Sequence, residues 1–365
     1  MPVNQRLLSI DALRGFDMLL IAGGGEFIVR LEGKTGWAWV DWIANQLTHP
    51  AWNGFTFYDF IFPLFLFISG VSLNYSVIQG RARGLSNSRI YQKAFKRMVL
   101  LIVLGIIYKN APVPVFDPSE IRYGSVLGRI GIATFFTTIL LLNFNWKQRL
   151  FWVAGILVGY FAALMLIPVP GYGAGDLSFE GNLVGWIDRS ILPGILRQET
   201  YDELGLLTQL PALCLTVLGA WAGQLLKEEK IANITGFLLL LGIAGIGLGL
   251  AWSTVFPINK HLWSSSFILL TAGMAFIFLA LFYWLIEIRG YRKWAFFFQV
   301  IGMNSLLIYY VYRFVNFDFT SRLLFGGLYS VTPEIWHSVF QALGALALVW
   351  VFLYVMYRNK IFVKI

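Results

Sequence analysis

Ten apolar stretches divide this 365-residue chain, most of them long enough to cross a lipid bilayer as a helix. They fall near residues 9–29, 56–78, 97–112, 124–143, 150–169, 206–226, 236–256, 263–286, 295–316 and 337–357. A spanning helix needs about 20 mostly apolar residues, and only short polar connections separate these runs, apart from a longer loop near 170–205. The runs are continuous rather than alternating, which argues against the strands of an outer-membrane barrel. Only 13% of the residues are charged while 58% are hydrophobic, and a soluble protein usually carries about 25% charge. The expectation is an all-α integral membrane protein of about ten transmembrane helices, forming one polytopic domain over 1–365. Asp11, Arg14 and Asp17 interrupt the first run, so a cleavable signal peptide is not expected there.

The net charge of +9 would suggest nucleic acid if the cations formed one patch. They do not. Seventeen of the 28 Lys and Arg residues fall on one set of loops: Arg6, the 79–97 loop, Lys147 and Arg149, Lys227 and Lys230, 289–293, and the C-terminal tail with Lys364. Eight fall on the opposite set, and Arg14, Arg129 and Arg313 lie inside spans. The basic set marks the cytoplasmic side, which places both termini in the cytoplasm and removes the nucleic-acid reading. The single cysteine, Cys214, permits no intramolecular disulfide; it and His337 are assigned to packing and to the interface.

Glycines cluster at Gly23–Gly25 and at Gly242, Gly245, Gly247 and Gly249. The second group superficially fits a dinucleotide-binding pattern, but no strand precedes it and no helix begins there. Close packing of membrane helices explains it better. No Walker, HExxH, CxxC or GxSxG motif occurs, and no metal site is expected.

Ionisable residues at membrane depth are functional candidates by default. Asp11, Arg14 and Asp17, spaced i, i+3, i+6, can share a helical face, either as an interfacial ion ladder or as the polar wall of a cavity. The segment His49-Pro50-Ala51-Trp52-Asn53-Gly54-Phe55-Thr56-Phe57-Tyr58-Asp59 joins an amphipathic stretch, Trp37 to Leu47, to the second span. Thr56 and Asp59 have capping-box spacing. Asp59 could equally orient a histidine, as carboxylates do in acyl-transfer sites, and His49 is the histidine with local partners. Arg129, in Leu127-Gly128-Arg129-Ile130-Gly131, needs an anion or a carbonyl. Asn304 lies in Gly302-Met303-Asn304-Ser305, and Lys260 in the outer turn Asn259-Lys260-His261-Leu262-Trp263-Ser264.

These motifs, together with Arg6-Leu7-Leu8-Ser9-Ile10-Asp11-Ala12-Leu13-Arg14-Gly15 and Phe62-Pro63-Leu64-Phe65-Leu66-Phe67-Ile68-Ser69-Gly70, resemble the heparan-alpha-glucosaminide N-acetyltransferase family and its bacterial members. The resemblance follows the same order across nearly the whole chain. It implies a membrane enzyme that takes acetyl from cytosolic acetyl-CoA to the amino group of a glucosamine on the far side. The family's active-site histidine corresponds to His49. Ile21 falls near the family's asparagine before the triple glycine, and Tyr312-Arg313 replaces a His-Glu pair. The resemblance implies no counterpart within 1–365 of the extra N-terminal lumenal domain and first span of the lysosomal members.

The expected site therefore comprises His49 and Asp59 for catalysis, with Arg129, Asn304, Asn53, Trp52, Lys260, Arg14 and Asp17 binding donor or acceptor. The basic 79–97 loop would admit a phosphate-bearing donor, and Gly23–Gly25 would let its pantetheine arm approach the main chain. Outer-loop acids (Asp176, Glu180, Asp188, Glu199, Asp202 and Glu203) would form an acidic rim suited to a small amine-bearing acceptor. The partners expected are acetyl-CoA, an extracytoplasmic amino sugar or glycan, the lipid bilayer and, as an option, a second copy of the chain; nucleic acid is not among them. The location expected is the bacterial inner membrane. A proton- or ion-coupled transporter of a small polar solute is the competing reading, and a non-catalytic membrane scaffold a third.

Overall fold

The computed structural model describes residues 7–111, 117–227 and 233–363. Arg6, Lys230 and Lys364 of the loop tally lie outside the described residues. Among the described residues every regular element is a helix, apart from an isolated bridge between Val169 and Gly173, and turns and irregular loops join them. Six helices are long and apolar enough to span a bilayer: Phe57–Ala82, Val126–Asn143, Trp146–Leu166, Ile234–Trp252, Ser265–Ile288 and Glu334–Arg358. A seventh candidate is the pair Ala295–Gly302 and Ser305–Phe314, bent by 68° at its break. The three other stretches also contain helices, but Leu8–Leu19 and Gln209–Leu225 are short and Asn87–Asn110 opens on a basic segment. Many lipid-type side chains are exposed, among them Leu240, Ile243 and Leu248 on one helix. A soluble surface rarely carries so much exposed apolar area, whereas a bilayer solvates it. The chain is a multi-pass integral membrane protein.

The chain divides into two compact units. The first holds the described parts of Met1–Pro50, Thr56–Ile61 and Leu281–Lys364. Here the helix Leu8–Leu19 packs on Ala295–Gly302 through glycine: a Cβ on Gly15 would collide with the Phe298 carbonyl, and one on Gly302 with that of Asp11. Small residues let membrane helices approach backbone to backbone. Glu287 Oε1 accepts from the Ser9 N–H at 3.0 Å, serving one of the donors that a helix start leaves over. The helix run beyond Leu19 breaks at Ala22 and Gly23, where Gly23 takes φ +86°, a left-handed conformation that costs glycine little. The amphipathic stretch forms the helix Ala38–Gln46, burying Val40 and Ala44 while Trp37, Trp39 and Trp42 stand exposed. Such aromatic residues favour the membrane–water interface.

The second unit holds Ala51–Phe55 and Phe62–Ala280. In it Gly70 and Gly219 make the same kind of approach, to the Thr216 and Phe67 carbonyls respectively. Gly242, Gly245 and Gly249 face the backbone of the helix Ser265–Tyr283, while Gly247 meets nothing within 4 Å. Helix packing, not phosphate binding, accounts for that motif. Cys214 is buried in the core, and in the first unit His337 bonds the Thr332 carbonyl at 2.9 Å.

Buried acids hold the long loop near 170–205 together. Asp202 accepts a two-pronged contact from Arg122, Nε to Oδ2 at 2.7 Å and Nη2 to Oδ1 at 2.8 Å. Burial pushes the Asp202 carboxyl up, but Arg122 and two backbone N–H groups pull it net below the usual range. Asp188 is buried and accepts from the N–H groups of Asp202 and Leu206. Its carboxyl is pushed up to about 6, chiefly by burial and also by the Asp202 charge, against those two N–H bonds and Arg129. These two acids, with Glu203 paired to Arg197, do not form a rim. The acidic edge read from the sequence reduces to half-buried Asp176 and exposed Glu180 and Glu199.

A pH dependence follows from Asp188. The folded chain holds this proton more tightly than the unfolded chain, so its stabilisation is complete below about pH 4 and lost as pH rises through about 6. The loss is on the order of 3 kcal/mol. Thermal unfolding in detergent should show the difference, wild type minus Asp188→Asn, falling between pH 4 and 7 and flat above. A difference that rises with pH would show that the group is not destabilised by charge.

Candidate active site

In the first unit, His49 and Asp59 meet. His49 Nδ1 lies 2.7 Å from Asp59 Oδ1, with the carboxylate fully buried and the imidazole about a third exposed. Asp59 sits in the first turn of Phe57–Ala82, whose start is prepared by Thr56. The Thr56 N–H donates to Asp59 Oδ2 at 3.1 Å, and the Thr56 hydroxyl donates to the Thr48 carbonyl at 2.5 Å. Gln46 Oε1 accepts from the Phe57 N–H at 3.2 Å. The two readings of Asp59 are thus both realised, one on each oxygen. Oδ2 caps the helix and Oδ1 holds the histidine. Pro63, one turn on, lacks the N–H that would bond the Asp59 carbonyl. The His49 ring lies against Tyr58, centroids 4.8 Å apart. An imidazole that donates from Nδ1 to a carboxylate carries its lone pair on Nε2, the arrangement of a general base or a nucleophile.

The other first-unit candidates have different surroundings. Arg14 Nη1 pairs with Asp11 Oδ1 at 3.2 Å. Asp17 is fully buried, and neither of its oxygens has a hydrogen-bond partner among the described residues. The ladder therefore closes on its first pair only. Asn304 lies at the 68° break, and its amide is engaged by main chain: Nδ2 donates to the Ile361 carbonyl and Oδ1 accepts from the Val363 N–H, each at 3.0 Å. It ties residues 361–363 to the helix break rather than presenting an open amide.

In the second unit, the Trp-Asn-Gly segment docks on the turn before Ser265. Gly54, at φ +127°, donates its N–H to the Ile258 carbonyl at 2.9 Å, and Asn259 Nδ2 donates to Asn53 Oδ1 at 3.0 Å. The Trp52 indole stacks on His261, centroids 5.2 Å apart, and donates from Nε1 to the Leu177 carbonyl at 3.0 Å. His261 Nδ1 in turn meets the Tyr201 hydroxyl at 2.7 Å. Burial pushes that phenol up to about 12. Lys260 is half-buried in the same turn. Trp263 is buried at φ +50°, an uncommon conformation for a bulky side chain. Its ring carries the Arg129 guanidinium, 4.4 Å from the centroid. Arg129 is fully buried; Nη2 donates to the Glu203 carbonyl and to Thr208 Oγ1, while Nε and Nη1 have no partner among the described residues. Buried donors are normally satisfied, so this edge of the guanidinium is suited to an acceptor from outside the chain.

The pairing of His261 with Tyr201 is not legible in the sequence. No local pattern reports it, because the hydroxyl arrives from a loop 60 residues away. Among the described residues no group of three His, Cys, Asp or Glu side chains could hold a metal ion.

The family model described as "Heparan-alpha-glucosaminide N-acetyltransferase, catalytic" matches residues 6–247. The chain is 29% identical to heparan-alpha-glucosaminide N-acetyltransferase of Homo sapiens and 28% identical to that of Mus musculus, each across 99% of this chain. It spans about three-fifths of the length of these relatives, 60% and 61% respectively.

Proposed function

The chain belongs to the heparan-alpha-glucosaminide N-acetyltransferase catalytic family, and on that premise we propose that it is an acetyl-CoA-dependent transmembrane N-acetyltransferase. Acetyl passes from cytosolic acetyl-CoA to the amino group of an extracytoplasmic amino sugar or glycan. The observation that carries this reading is the buried Asp59 holding His49 by Nδ1 at 2.7 Å, within the family-matched region. The amine nitrogen attacks the thioester carbonyl, its proton goes to His49 Nε2, the C–S bond breaks, and the thiolate takes that proton as coenzyme A leaves. An acetyl-imidazole at Nε2 divides the same transfer into two steps. Arg129, with two donors unmet by the chain, is assigned to a carbonyl or anionic part of a substrate. Trp52, Asn53 and Lys260 frame the outer turn; Arg14, Asp17 and Asn304 are assigned to the donor's path.

All ten apolar stretches span the membrane in this reading, both termini are cytoplasmic, and 1–365 acts as one catalytic domain in a bacterial inner membrane. The Lys and Arg bias of the loops supports that orientation. A solute transporter is the competing reading, favoured by the broken helix at Asn304 and by buried Asp17, since discontinuous helices line transporter sites. Sealed vesicles of known orientation separate the two. Labelled acetyl-CoA on the face of the 79–97 loop should acetylate an amino sugar supplied on the other face. Transfer driven only by acetyl-CoA on the His49 side would sink the transmembrane mechanism. Passage of intact solute without acetylation would favour the transporter.

A further inference from the structure

The second unit contains a groove of about 210 Å³ where the helices Phe57–Ala82, Asn87–Asn110 and Val126–Asn143 approach the 79–97 loop. Arg83, Lys93 and Arg97 line it, and no carboxylate does among the described residues. Gln79 and Ser76 add polar groups, while Ile90 belongs to its apolar side. The hydroxyls of Thr134 and Thr138, also in the lining, bond carbonyls of their own helix. Positive-inside topology explains cations on this loop, but it does not require three of them to turn into one cavity. Like charges gathered in a partly enclosed space repel, and an anion there relieves the repulsion.

The chemistry narrows the anion. Guanidinium groups bind phosphate oxygens in pairs and an ammonium adds a point charge. Pockets that enclose a whole drug-sized ligand run roughly 300–1,000 Å³, so this groove takes one end of a larger molecule. The helix Asn87–Asn110, which carries Lys93 and Arg97, also exposes Phe95, Val99, Leu100 and Val103 beyond the groove, which puts a lipid-facing surface beside it. We propose that the groove formed by Arg83, Lys93 and Arg97 is a phosphate-ester site. Two molecules carry that chemistry to this place: the nucleotide end of the donor, which rests on the acetyltransferase reading, and the headgroup of an anionic phospholipid, which does not.

Binding to the full-length protein in neutral detergent tests the proposal, with adenosine 3′,5′-bisphosphate as the nucleotide probe. Nanodiscs of phosphatidylcholine with or without phosphatidylglycerol serve as the lipid probe, retained lipid being counted by native mass spectrometry. The variants are Arg83→Gln/Lys93→Gln and, as a control on an exposed cation in the other unit, Arg292→Gln. Weakening of the bisphosphate by tenfold or more in the double variant alone assigns the groove to the nucleotide. Loss of retained phosphatidylglycerol with bisphosphate affinity unchanged assigns it to the lipid. Both probes unaffected by the double variant, or equally affected by the control, overturn the site. Acetyl transfer is assayed in parallel on wild type: its absence fails the enzymatic reading, whereas the groove stands or falls on binding.

Discussion

Replacement of His49 by alanine is expected to lower acetyl transfer by a factor of about 10²–10⁴, the usual weight of a positioned acid–base group. The folded protein should survive the change, because the side chain is about a third exposed and Asp59 keeps its helix-capping bond to Thr56. Asp59→Asn should fall between wild type and His49→Ala, since an amide can still contact Nδ1 but no longer stabilises an imidazolium. The measurement is the rate of labelled acetyl transfer to an amino sugar, alongside a melting curve showing that each variant is folded. Full transfer by folded His49→Ala protein would remove His49 from the mechanism. An acetyl group trapped on His49 would favour the two-step route, and strictly sequential kinetics the direct one.

The largest expected loss of stability lies at Gly302. Its Cα hydrogen faces the Asp11 carbonyl of the helix Leu8–Leu19, and Gly15 meets the Phe298 carbonyl in return. The obstacle is backbone on both sides, so no rotamer change can make room. Gly302→Val should cost about 3 kcal/mol, at the top of the usual range for overpacking. It should appear as a lower melting temperature and a poor yield of monodisperse protein. Gly247→Val offers the contrast, because nothing lies within 4 Å of that position, and only helix propensity changes there. Equal melting temperatures for the two variants would refute the assignment of Gly302 to a close helix contact.

The helices were legible because a bilayer demands continuous apolar runs, and that demand is written locally in the chain. The breaks were less so. The 295–316 stretch reads as one span, yet it bends by 68° at Asn304, whose amide partners lie 57 and 59 residues further on. Periodicity carries no trace of such a pairing. The His49–Asp59 pair was readable because only ten residues separate its members. The choice between capping and orienting Asp59 was not, since a carboxylate has two oxygens and sequence spacing cannot allocate them. The acids of the 170–205 loop misled in the opposite direction: a count of charges in a loop does not reveal that Asp188 and Asp202 fold inward. Arg129 was found by its depth, but its neighbours Thr208 and Trp263 come from distant segments that no motif joins to it.

Trp263 constrains how this site can change over evolutionary time. Its left-handed backbone carries a penalty on the order of 1–2 kcal/mol for an ordinary L-residue, which glycine or asparagine would largely relieve. The same ring covers the face of the Arg129 guanidinium and packs edge-on against Phe62 at 5.4 Å. Drift at this position is therefore pulled two ways, toward smaller residues by conformational ease and back toward tryptophan by the charge it shields. A lineage in which Arg129 had been replaced by an uncharged residue would feel chiefly the first pull.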